Sequence, residues 1–178
     1  GDRTRDLASI LTLNLNAGDV TVNAPGGIGV QGVLGVIRGD QQIAGLLYSD
    51  TIENGNAQAL INIADGVSVI GGSGSGAGIN VEGAGRVTLN NAGSIINRGD
   101  ATSGGVVLGK LITSTSNYRV PTTPSDLTLN LVDSLNSGTI AGGSGRGIWV
   151  QSGSIENFVN SGTVRGAAGA ISSSGRGQ

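Results

Sequence analysis

Histidine and cysteine are both absent from the 178 residues, and that removes whole classes of chemistry. A triad with a histidine base, a His-ligated catalytic zinc site, a thiolate metal site and a disulfide framework all need side chains this chain lacks. Methionine is missing too. A primary translation product begins with one, so the sequence is expected to be a processed, trimmed or partial chain. No secretory h-region precedes Gly1, so any export signal is expected to have been removed already. The only lysine is Lys110, and the arginines are scattered at a net charge of −2. No basic stripe with interleaved aromatics points to nucleic acid. No apolar run of about 18 residues and no basic amphipathic stretch points to membrane insertion by this segment. Aromatics number four, Tyr48, Tyr118, Trp149 and Phe158, and prolines three. Such a chain cannot fill a thick globular core.

Glycine supplies 34 residues, serine and threonine 32 and asparagine 15, yet 37% of residues are hydrophobic, which argues against disorder. The apolar residues fall in short alternating runs: Leu11-Thr12-Leu13-Asn14-Leu15, Leu60-Ile61-Asn62-Ile63, Val67-Ser68-Val69 and Leu127-Thr128-Leu129-Asn130-Leu131. Period-2 alternation bounded by Gly and Asn marks half-buried strands. Gly/Ser turns such as 71–76 and 142–145 separate them, and no segment sustains a helical period. The chain reads as all-β.

A repeat decides between the β architectures. Gly78-Ile79-Asn80-Val81 followed by Asn91-Ala92-Gly93-Ser94-Ile95 returns, shifted by 69 residues, as Gly147-Ile148-Trp149-Val150 followed by Asn160-Ser161-Gly162-Thr163-Val164. A further copy, Asn136-Ser137-Gly138-Thr139-Ile140, precedes the last by 24 residues. A sandwich needs no such repeat, whereas a parallel β-helix stacks each coil on equivalent positions of its neighbours. A coil of about 24 residues holds three short strands and their turns. The expected fold is a single β-helix domain over 1–178, of roughly seven coils and about 35 Å long at ~4.8 Å per coil. Ile148 and Val150 are expected inward with Trp149 outward, and Ile140 and Val164 inward after their turns. Asn91, Asn136 and Asn160 are expected to form a turn ladder, with Gly93, Gly138 and Gly162 supplying positive φ.

The distance from Gly93 to Gly138 is longer than one coil, and two of the three prolines lie between them. Residues 112–126 are therefore expected as a loop thrown out from the rod, with Tyr118 and Arg119 as its recognition tip. The same stretch also reads as a solvated insertion. An outward Trp149 reads either as a contact point for sugar or protein or as packing beneath a loop. No catalytic residue, metal site or cofactor is expected. The Gly-rich turns lack the aspartate of a calcium roll, and no helix follows them to cradle phosphate. Asp50 with Glu53, and Asp126 with Asp133, are the nearest carboxylate pairs, and neither recurs at coil spacing. The threonines form no single repeated column of the kind ice binding needs.

The phrases Asn136-Ser137-Gly138-Thr139-Ile140, Gly147-Ile148-Trp149-Val150 and Phe158-Val159-Asn160-Ser161-Gly162-Thr163-Val164 resemble coils of autotransporter (type V secretion) passenger domains. The likeness is best over residues 60–171. It implies a right-handed parallel β-helix on, or released from, a Gram-negative cell surface. It also implies work as an adhesin, a biofilm factor or a stalk, with surface glycans, proteins or further copies as partners. Members of that family carry a C-terminal membrane β-barrel, which this sequence does not contain, so either the chain is part of a longer one or the resemblance is to the repeat alone. The C-terminal stretch from Ile171 to Gln178 has no helical or charged cap. Either more coils follow it, or rods stack end to end into a filament. A polysaccharide-active enzyme is the third expectation, and it requires acidic residues converging in a groove.

Overall fold

The computed structural model describes residues 10–34, 57–83, 85–99, 102–109 and 128–173. They form fifteen strands and, among the described residues, no helix. The first coil is β1 (Ile10–Leu15), β2 (Val20–Thr21) and β3 (Val30–Leu34). The second is β4 (Gln58–Ile63), β5 (Ser68–Ile70) and β6 (Ile79–Gly83). The third is β7 (Gly85–Asn91), β8 (Ser94–Ile96) and β9 (Gly104–Gly109). The fourth is β10 (Leu129–Asn136), β11 (Thr139–Ala141) and β12 (Arg146–Val150). The fifth is β13 (Ile155–Asn160), β14 (Thr163–Arg165) and β15 (Gly169–Ser173).

Each strand pairs in parallel with its counterpart one coil away, giving three five-stranded sheets. Sheet A runs β1-β4-β7-β10-β13, sheet B β2-β5-β8-β11-β14, and sheet C β3-β6-β9-β12-β15. This is a parallel β-helix. The described residues make five coils rather than seven, because the chain between neighbouring coils is longer than 24 residues at three of the four steps. Leu13 pairs with Ile61, and Ile95 with Ile140. Only the last step, Asn136 to Asn160, has the 24-residue spacing.

Period-2 alternation turns into vertical columns of inward side chains. Sheet A stacks Leu11, Ala59, Val87, Leu131 and Ile155. Sheet B stacks Val20, Val69, Ile95, Ile140 and Val164, and sheet C stacks Val30, Ile79, Val106, Ile148 and Ile171. The middle members are all buried. Each Val, Leu or Ile among them contributes about 1.5–3 kcal/mol on burial, so the thin core is compensated by its length. Phe158, partly buried on β13, packs against it in the last coil.

The turn glycines act differently from expectation. Gly93, Gly138 and Gly162 do not have positive φ. A side chain is excluded there by the next coil instead: a Cβ on Gly138 would lie 2.0 Å from the Gly93 carbonyl oxygen, and one on Gly162 2.1 Å from that of Gly138. Stacked turns at this spacing leave room for hydrogen only.

Sheet A has one irregularity. Leu131 pairs with Val87, but Leu135 pairs with Asn90, so β10 carries one extra residue. Asp133 takes φ 48° and Asn157 φ 54°, stacked one coil apart and joined by an Asn157 Nδ2 to Asp133 Oδ1 bond of 3.0 Å. Asp and Asn tolerate this region better than other side chains. The buried Ser134 hydroxyl accepts from the Leu89 amide at 2.9 Å and donates to the Val132 carbonyl. The bulge thus leaves that amide satisfied.

Candidate functional site

Trp149 lies on the outward side of β12, between the buried Ile148 and Val150, and is half-buried. The register puts Val107 and Ser172 beside it on the neighbouring coils. The Arg146 guanidinium carbon sits 4.4 Å from the centroid of the indole ring. This cation–π contact holds one ring face against the strand. An indole fixed by a guanidinium on a rigid sheet is the kind of amphipathic group that anchors interfaces. Arg146 had no signal of its own in the sequence.

The outward face of sheet A carries a second feature. One column runs Asn14, Asn62, Asn90, Leu135 and Val159. Asn62 Nδ2 donates to Asn14 Oδ1 at 2.8 Å, and Asn90 Nδ2 to Asn62 Oδ1 at 2.9 Å. The column then changes character: Leu135 is 53% exposed and Val159 58%. Two stacked aliphatic side chains therefore stand in solvent beside a polar ladder. The alternating runs Leu13-Asn14-Leu15 and Ile61-Asn62-Ile63 carry the outer asparagines, but their unequal spacing hides the column.

The inner asparagines are structural neighbours of the core. Asn91 Nδ2 donates to Asn136 Oδ1 and Asn136 Nδ2 to Asn160 Oδ1, each at 2.8 Å. Each amide also bonds within its own turn, to the carbonyls of Gly93, Gly138 and Gly162 at 3.2–3.3 Å. Asn91 and Asn136 are almost fully buried, which leaves no face for a ligand at those positions.

Tyr118 and Arg119, with the whole 112–126 loop, lie outside the described residues, as do Asp50, Glu53 and Asp126. Asp133 is occupied by Asn157 in the stacked bulge. Among the described residues no three His, Cys, Asp or Glu side chains gather into a group that could hold a metal ion, and no helix is long and apolar enough to cross a membrane. A shallow depression of about 340 Å³ at the corner of sheets B and C is lined by Asn97, Gly143 and Arg165. The buried Asn97 spends its side chain on local backbone, donating to the Gly142 carbonyl and accepting from the Gly99 amide. No protein family, no curated protein and no solved structure matches the chain.

Proposed function

We propose that this chain is an extracellular structural and adhesive β-helix rod of a bacterial surface protein, similar to an autotransporter passenger. In this reading it mediates attachment to surface glycans or proteins, biofilm formation or self-association, and performs no catalysis. The observation that carries the reading is Trp149, half-buried on the outward face of sheet C with the Arg146 guanidinium over its ring. The continuous core columns make the rod a stiff support for such contacts. Coating the protein on beads and presenting them to bacterial and epithelial cell layers tests the proposal. Retention of coated beads over uncoated ones is expected. Equal retention would remove the adhesive reading.

End-to-end stacking into a filament is a second reading, and the two outermost described coils favour it. Their inward columns end on Leu11 at 54% exposure and Ile171 at 44%. Joining them would place apolar groups together in all three sheets. Light scattering over a concentration series separates the readings, since stacking raises the mass with concentration and lateral attachment alone does not.

A further inference from the structure

The corner after sheet A holds a groove with an unusual lining. The amides of Ala64, Ala92, Ser137 and Ser161 each donate to the carbonyl of the preceding coil, at 2.8–2.9 Å. These turn residues therefore stack one above another, with Asn16 beneath Ala64. Two adjacent alanines between longer side chains leave a depression of about 290 Å³, closed by Asn16 at one end and by Leu135 and Ser137 at the other. Asn62 and Asn90 of the outer ladder form its side.

We propose that this groove is a binding site for a neutral sugar ring, a pyranose unit of a surface saccharide. The proposal rests on the reading of the rod as a contact surface and names a ligand class for one face of it. The lining contains no Asp, Glu, Lys or Arg, so a charged ligand would lose hydration there without a counter-charge. The methyl groups of Ala64 and Ala92 and the side chain of Leu135 offer an apolar wall to the C–H face of a ring. Polar groups face the hydroxyls. Asn90 commits its Nδ2 to Asn62, and Leu135, next in the column, has no donor for its Oδ1. Asn16 is exposed, and its amide both donates and accepts. The ladder from Asn14 to Asn90 fixes the amides before a ligand arrives, which lowers the entropy lost on binding. A volume near the lower end of ligand sites, about 300 Å³, suits one ring. With no aromatic in the lining, the affinity expected is millimolar.

Saturation-transfer NMR on the intact chain tests this, using the methyl glycosides of glucose, galactose, mannose and N-acetylglucosamine. N-acetylneuraminic acid serves as the charged comparison. Transfer to at least one neutral glycoside is expected, with at least tenfold weaker binding in Ala92→Leu, which fills the groove. Asn90→Leu, which removes the open acceptor, is the second variant should Ala92→Leu fail to fold by circular dichroism. No transfer to any neutral glycoside, binding unchanged in the folded variants, or equal binding of the sialic acid would each overturn the proposal. Beads that still attach without sugar transfer would sink only the sugar assignment. Sugar transfer without attachment would sink only the adhesive reading.

Discussion

Asn136 is buried beneath Asn160 and donates to its Oδ1 at 2.8 Å. The same bond recurs one coil below, from Asn91 to Asn136. There the ladder stops, because Ile63 pairs with Asn91 and has nothing to donate. The Asn91 Oδ1 is consequently a buried acceptor with no partner. Leaving such a group unpaired costs about 1–3 kcal/mol.

That orphan gives an asymmetric expectation. Ile61 and Ile63 are inward neighbours on β4, both buried. Ile61→Asn places an amide among aliphatic groups. Ile63→Asn places one below Asn91, where it can donate to the free Oδ1. Ile63→Asn is expected to be the milder change by about 1–3 kcal/mol, read as the difference in urea midpoints at equal m. Equal losses would mean the ladder has no energetic direction.

The glycines separate two kinds of constraint. Gly66 has φ +77° and nothing within 4 Å of a Cβ, whereas Gly138 has an ordinary φ and a carbonyl 2.0 Å away. Gly66→Ala is expected to cost only the backbone term, roughly 1–2 kcal/mol. Gly138→Ala is expected to cost about 3 kcal/mol or more, since two stacked turns must separate. Thermal melts of the two variants check this, and a Gly138→Ala milder than Gly66→Ala would contradict the packing.

Much of this architecture is legible in the sequence because stacking forces equivalent residues to recur. The 69-residue shift is two coil steps: Ile79 to Val106 to Ile148 in sheet C, and Asn91 to Asn136 to Asn160 in sheet A. Both routes total the same length although their steps differ. Dividing the chain length by the one regular step, Asn136 to Asn160, overestimates the coil number. The uneven spacing of Asn14, Asn62 and Asn90 hides the outer column in the sequence. The exposed Leu135 and Val159 read as core by alternation alone, since the extra residue in β10 reverses the face after Asp133. A one-residue shift does this to every later side chain in a strand.

The bulge itself is testable. Asp133 and Asn157 hold positive φ on stacked coils. Asp133→Gly is expected to be within about 1 kcal/mol of wild type, because the lost bond to Asn157 is offset by relief of backbone strain. Asp133→Val is expected to cost roughly 2 kcal/mol more than Asp133→Gly. Urea unfolding compares them, and equal stability of the two would deny that the backbone conformation matters there.

Trp149 is the only tryptophan, so its fluorescence reports its own environment. Arg146→Ala removes the guanidinium from the ring. A red shift in emission is expected, with a stability loss of about 0.5–1 kcal/mol. An unchanged spectrum would show that the ring is not held by Arg146.

The most direct test of the adhesive reading is bead retention on cell layers by Trp149→Ala, with Trp149→Phe and wild type alongside and melting temperatures matched. The result expected is at least a tenfold fall in retention for Trp149→Ala, with Trp149→Phe between the two. Folded Trp149→Ala beads retained as well as wild type would contradict the assignment of Trp149 as the contact.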